Sequence, residues 1–171
     1  TLGDGTDKLN IATLNFTSLD TVAGGDGTDT ISMSNDATVI DLSFTNVTGV
    51  ETLTAGTNIN LTATLGALAM ASGITTVTLT DTGAANTVTI GAGFTSALGV
   101  TLSSDATAGD VVNATAYTGT LTINASAANL NNTASTITGG TGTSDELKVT
   151  VTAANEAITT GISAMTAVEK I

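Results

Sequence analysis

Three short runs place acidic residues among glycines: Gly3-Asp4-Gly5-Thr6-Asp7, Gly24-Gly25-Asp26-Gly27-Thr28-Asp29, and Gly139-Gly140-Thr141-Gly142 continuing through Thr143 and Ser144 to Asp145. A hard cation such as calcium takes roughly six to eight oxygen ligands; a glycine-rich turn supplies carbonyls and nearby Asp side chains supply charge. Glycine matters because neighbouring carbonyls converge on one ion only where the backbone enters conformations closed to residues with a Cβ. The candidate metal-binding positions are therefore Gly24, Gly25, Asp26, Gly27 and Asp29; Gly3, Asp4, Gly5 and Asp7; and Gly140, Gly142 and Asp145, where the run carries one inserted residue. The competing reading of each run is a tight turn closed by Asx-type hydrogen bonds.

Charge points the same way. The chain of 171 residues carries a formal charge of −12, with Lys8, Lys148 and Lys170 as its cationic side chains and no Arg or His. Self-repulsion of that size is relieved by bound cations. Without clustered Lys and Arg to neutralise phosphates, nucleic acid is excluded as a partner, and without His there is no ordinary proton shuttle near neutral pH. Absence of Cys excludes disulfides and thiolate sites and suits an exported protein that folds without oxidative assistance. No apolar stretch is long enough to span a bilayer, so membrane insertion is not expected, and an export signal is expected to lie outside this sequence.

The elements that must position the turns are short. Aliphatic and Thr-rich runs at 8–14, 29–34, 38–43, 50–55, 59–64, 75–81, 86–91, 99–104, 111–116, 119–125, 135–138 and 146–152 read as strands, uninterrupted by proline. Period-two alternation in Val77-Thr78-Leu79-Thr80, Val88-Thr89-Ile90 and Leu121-Thr122-Ile123 puts aliphatic groups on one face and Thr on the other. Hydrophobic residues make up 41% but aromatics only 2%, so the core must be built from Ala, Val, Ile and Leu in small regular layers. A mean hydropathy of +0.35 and a charged fraction of 11% argue against disorder. Strand centres recur roughly every 11 residues between Val77 and Leu121, and two such steps, about 22, fit one coil of a solenoid. The expectation is an all-β fold, a β-solenoid resembling a parallel β-helix or β-roll with Thr/Ala/Gly-rich coils, forming one domain over 1–171 as a segment of a larger protein. Helix is expected over Leu65–Ala71 and, less strongly, over 154–166.

A longer unit also repeats: each turn leads to an aliphatic strand start at Leu9, Ile31 or Leu147, and a spaced apolar triplet recurs as Phe16, Leu19, Val22; Phe44, Val47, Val50; and Ile162, Met165, Val168. Glu51 and Glu169 follow the last two triplets, as calcium ligands from an adjacent coil or as charges guarding a strand edge. The segment 56–138 lacks both signatures and reads as diverged coils or an inserted array.

Gly24 to Ser32 matches in full the G-G-x-G-x-D-x-U-x nonapeptide of RTX proteins, a calcium-binding β-roll family, while Leu2 to Asn10 and Gly139 to Val149 resemble it with one departure each. Together with Val50 to Leu53 and Val168 to Ile171, these features resemble bacterial S-layer proteins. That resemblance implies secretion to the bacterial cell surface, folding driven by extracellular calcium, self-assembly with other copies of the parent protein and attachment to cell-surface polysaccharide, in a structural role without catalysis. The alternative of another class is an adhesin module that binds a glycan, ice or a host surface.

Asp20, Asp36, Asp41, Asp81, Asp105 and Asp110 are expected at solvated loop ends. The Thr-x-Thr triplets Thr78/Thr80, Thr87/Thr89 and Thr120/Thr122 would suit ordered water only if held in register over many coils, and their spacing wanders by a residue or more. Tyr117, the single Tyr, is expected as a packed edge residue rather than part of a glycan platform.

Overall fold

The structure, a computed structural model, describes residues 1–80, 83, 85–104, 108–151, 158 and 165–171. Among these residues the strands are β1 (Lys8–Ile11), β2 (Val22–Ala23), β3 (Thr30–Met33), β4 (Ala37–Val39), β5 (Val47–Thr48), β6 (Thr52–Ala55), β7 (Leu61–Leu65), β8 (Thr76–Thr78), β9 (Thr87–Ile90), β10 (Leu98–Thr101), β11 (Val111–Asn113), β12 (Leu121–Ser126), β13 (Thr136–Thr138), β14 (Glu146–Thr150) and β15 (Met165–Thr166). Every expected run overlaps one of them; the two-residue β2, β5 and β15 were not expected.

The fold is mostly β, with parallel strands in long sheets. Seven strands pair in the order β1-β3-β6-β8-β10-β12-β14, six in the order β15-β13-β11-β9-β7-β4, and β2 pairs with β5. From β6 onward the chain alternates between the two large sheets, and each return sets a strand beside the one laid down a circuit earlier. In the first sheet Lys8 faces Thr30 and Thr122 faces Glu146, offsets of 22 and 24 residues. In the second sheet Ala37 faces Leu61 and Thr62 faces Thr87, offsets of 24 and 25. This arrangement is compatible with a β-solenoid or roll. Strands β7 to β13, within the segment that lacks both repeat signatures, pair directly with their neighbours and continue the same sheets.

Alternation explains which side of each strand is buried. Val77, Val88, Leu121 and Ile123 are at most 1% exposed, and they join aliphatic residues of every circuit in one apolar cluster. Phe16 and Phe44 meet edge to face at 5.3 Å, linking the first two circuits. The triplet equivalence breaks between them: Val22 pairs with Val47 rather than Val50, and Leu19 is 89% exposed. The three-residue offset lies in the preceding connection: residues 17–21 separate Phe16 from Val22, whereas only 45–46 separate Phe44 from Val47. Ile162 of the third triplet lies outside the described residues.

The expected helix at Leu65–Ala71 is α1 (Ala67–Ser72), ended by Gly73 at φ 110. Its leading N–H groups are satisfied from the preceding circuit: Asp41 Oδ1 accepts from Gly66 and Ala69 at 2.8 Å, and Oδ2 from Leu68 at 3.2 Å. Asp41 is therefore a cap and not a solvated loop end. A second short helix, α2 (Ala127–Leu130), is capped by Ser126. Most of the expected helix 154–166 lies outside the described residues, and Met165–Thr166 is strand.

Candidate metal centre

The first two glycine turns occupy the same place on successive circuits. Gly3 N–H donates to Gly24 O at 3.0 Å, Gly5 N–H to Asp26 O at 2.7 Å, and Thr28 N–H back to Gly5 O at 3.1 Å. Gly3, Gly5, Gly25 and Gly27 all have positive φ, between 117 and 133. A Cβ at Gly25 or Gly27 would collide with the carbonyl oxygen of Gly3 or Gly5, so close stacking of the two turns requires glycine twice over. Where the turns end, Asp7 N–H donates to Asp29 Oδ1 at 2.9 Å. Asp4 and Asp26, by contrast, are exposed.

Asp29 is the electrostatic centre. Its side chain is 0% exposed, and Oδ2 is buried without a hydrogen-bond partner. The place a Cβ would take on Gly24 is filled by the Gly49 carbonyl oxygen of the next circuit and lies 2.5 Å from that same Oδ2. An anionic oxygen and a carbonyl oxygen are thus held together over one bare Cα. Gly49 itself has φ 62 and begins a short corner, Gly49-Val50-Glu51, in which Glu51 Oε2 accepts from Asp29 N–H at 2.8 Å.

The third turn repeats the scheme with one difference. Ala167, at φ 54, opens the corner Ala167-Val168-Glu169; its carbonyl fills the Cβ position of Gly139, and Glu169 Oε2 accepts from Asp145 N–H at 2.7 Å. Asp145, however, has both oxygens occupied, Oδ1 by Leu121 N–H at 3.0 Å and Oδ2 by Gly140 N–H at 2.6 Å. Neither Gly140 nor Gly142 has positive φ. The inserted residue lengthens the loop so that its own N–H turns back onto the carboxylate. Tyr117 sits beside this turn, fully buried in the core and not at an edge, its hydroxyl donating toward the Ser96 and Thr120 carbonyls. Burial first, and the Asp145 charge second, push its hydroxyl up to about 12.

The Val-Glu elements make a contact that neither sequence reading described: each carboxylate closes the glycine turn one circuit back through its Asp N–H. Among the described residues no three acidic, His or Cys side chains converge as a group that could hold a metal. An ion at Asp29 would rest on few carboxylates and on carbonyls.

A second polar centre was missed. Asp110, expected at a loop end, is 0% exposed. Its Oδ2 accepts from Ser103 N–H at 2.8 Å, Ser103 Oγ at 2.9 Å and Asn129 Nδ2 at 3.0 Å, while Oδ1 accepts from Asn86 Nδ2 at 2.9 Å. Four donors compensate a buried charge, which makes this a structural knot rather than a site. Asp20 meets expectation at a loop, where the N–H and hydroxyl of Thr17 hold its carboxyl below the usual range. Asp36 is exposed, whereas Asp81 and Asp105 lie outside the described residues.

Compared with known proteins, the chain matches no protein-family model, no curated protein and no solved structure.

Proposed function

We propose that this chain is a structural segment of a secreted, calcium-dependent bacterial surface protein of the S-layer type, built as a β-solenoid whose folding is coupled to the ion. The observation that carries the reading is the buried, unpartnered Oδ2 of Asp29, held beside the Gly49 carbonyl oxygen in a turn that matches the nonapeptide. A buried polar atom left unpaired costs about 1–3 kcal/mol, and more when charged. A calcium ion removes that cost, and the residues fit it as hard oxygen donors: Asp29 supplies charge, while Gly49 and the glycine turn supply carbonyls. The third turn, with both Asp145 oxygens occupied, holds itself together without an ion. Bound calcium rigidifies the solenoid; the role is mechanical and not catalytic. Self-assembly of parent copies and attachment to a surface polysaccharide belong to the same reading.

The test is thermal unfolding of the chelated protein with and without millimolar calcium, with magnesium as control. Calcium at a hundred times its dissociation constant adds about 2.7 kcal/mol. For a chain of this size each kcal/mol moves the melting point by about 2–4 °C. A calcium-specific rise supports the reading, and an unchanged melting curve rejects it.

A further inference from the structure

The Asp29 carboxylate stands where two seams of the stack meet. Oδ1 accepts the Asp7 N–H of the circuit before it, and Oδ2 lies beside the Gly49 carbonyl of the circuit after it. The two seams are unequal. Between residues 24–48 and 49–73 both large sheets are continuous, β3 on β6 and β4 on β7, and Asp41 caps α1 across the join. Between residues 1–23 and 24–48 the six-stranded sheet contributes nothing, because it ends at β4. Among the described residues, only β1 on β3 and the two-residue β2 on β5 pair across this first seam.

Apolar packing is thin at the same place. Among residues 1–23, all of them described, only Phe16 and Val22 are buried hydrophobics, and no residue of β1 is fully buried. In the next circuit β3 and β4 alone bury Ile31, Met33, Ala37 and Val39. A groove of about 380 Å³ opens between the two circuits, lined by Thr13, Phe16 and Thr17 on one side and by Thr38, Ile40 and Leu42 on the other. What holds residues 1–23 is largely hydrogen bonding: the β1–β3 ladder, the stacked glycine turns, the Asp7–Asp29 bond, and exposed bonds from Thr13 to Asn35 and Asp36 that compete with water.

We propose that Asp29 is a calcium-dependent clasp on residues 1–23, an inference that rests on the calcium reading of the same carboxylate. With the ion in place, Oδ2 is neutralised and Oδ1 stays on the Asp7 N–H. Without it the charge must be hydrated, and Asp29 is 0% exposed, so water reaches it only when a seam opens. The thinner seam gives way. The carboxylate turns out of its place, the Asp7 N–H loses its acceptor, and residues 1–23 lift from β3 and bare its edge. Local opening takes the least-packed unit first. The circuits beyond keep their stack without the ion, because backbone N–H groups occupy both Asp145 oxygens and four donors surround Asp110. Calcium dependence is thereby confined to one seam instead of being spread over the whole fold.

The experiment is amide hydrogen exchange of the chain in calcium and in chelator, read residue by residue. Thr28, Thr30 and Ser34 donate across the first seam, to the carbonyls of Gly5, Asp7 and Ile11, while Thr52 and Gly56 donate across the second, to those of Asp29 and Met33. In chelator Thr28, Thr30 and Ser34 should lose protection by about a hundredfold, the factor by which calcium at roughly a hundred times its dissociation constant favours the closed form. Thr52 and Gly56 should keep theirs, as should Leu98 and Val111 further along. A lysine-specific protease gives a second readout: cleavage after Lys8 in β1 should accelerate in chelator, and cleavage after Lys148 in β14 should not. Asp29→Asn should leave the first seam closed with or without calcium, since an amide carries no charge to hydrate; a seam that still responds to calcium in that variant overturns the clasp. A calcium-dependent rise in melting point with protection lost evenly over all circuits, or with the first seam unchanged, also overturns the clasp and leaves the calcium reading standing. Calcium without effect on either melting or exchange overturns both.

Discussion

The turn at 24–29 and the turn at 139–145 use the same residues to opposite ends. In both, a glycine yields its Cβ space to a carbonyl of the next circuit, and a Glu on that circuit accepts the N–H of the turn's Asp. With six residues from Gly24 through Asp29, the backbone leaves Asp29 Oδ2 without a donor; with seven from Gly139 through Asp145, Gly140 N–H reaches the equivalent oxygen. The turn that is one residue longer is thus the one whose buried carboxylate is fully paired by the protein itself.

The strongest way to break this comparison is to remove the charge from each side. Asp29→Asn should abolish the calcium-dependent rise of several degrees while being neutral or slightly stabilising in chelator, because it removes a buried charge that the Asp7 N–H on Oδ1 compensates only in part. Asp145→Asn should instead lose about 1–3 kcal/mol whether or not calcium is present, because it sets an amide against two backbone donors. Melting curves of both variants in calcium and in chelator check this, and equal behaviour of the two would refute the distinction. Deleting Ser144 sharpens it: shortened to nonapeptide spacing, the third turn should lose its Gly140 bond and acquire a calcium-dependent increment, read as a second equivalent in isothermal titration.

The Glu contacts should be weaker levers. Glu51→Gln should cost about 0.5–1.5 kcal/mol in urea unfolding. Glu169→Gln should cost less, since Glu169 is exposed and its bond competes with water. A further lever is a pH dependence that belongs to the third turn and acts only at alkaline pH. Tyr117 titrates at about 12 in the folded chain against an ordinary value of 10.0. Its contribution is complete below pH 10 and is lost as pH rises towards 12, because the unfolded chain releases that proton first. As the single Tyr, its ultraviolet titration is uncluttered, and Tyr117→Phe should flatten stability across that interval.

Strand positions were legible because alternation of aliphatic and Thr residues is a local signal, and Val88 or Ile123 reveals its buried face from its neighbours alone. The stacking of Gly3 on Gly25 was legible too, as a repeat of 22 residues. What escaped depends on partners brought together from afar. Nothing near Asp110 announces that Asn86, Ser103 and Asn129 will surround it, and nothing near Asp41 announces a helix start a circuit later. Glu51 and Glu169 were recognised as special, but their partner is a backbone N–H, which leaves no mark in a sequence. The register that sets Thr62 beside Thr87 and Thr64 beside Thr89 was hidden for a different reason: connections of unequal length obscure a spacing that only hydrogen-bonded strands restore.

The paired Glu corners also bear on load. In a stack where each layer grips only its neighbours, failure starts at the ends. The bonds that the Asp29 and Asp145 N–H groups donate to Glu51 and Glu169 lie near the two ends of the first sheet's stack, one just before its third strand and the other beyond its last. A tether pulling on both termini would meet these charge-assisted latches early, before the force reached the Asp110 knot in the middle, so the molecule is reinforced where peeling would begin.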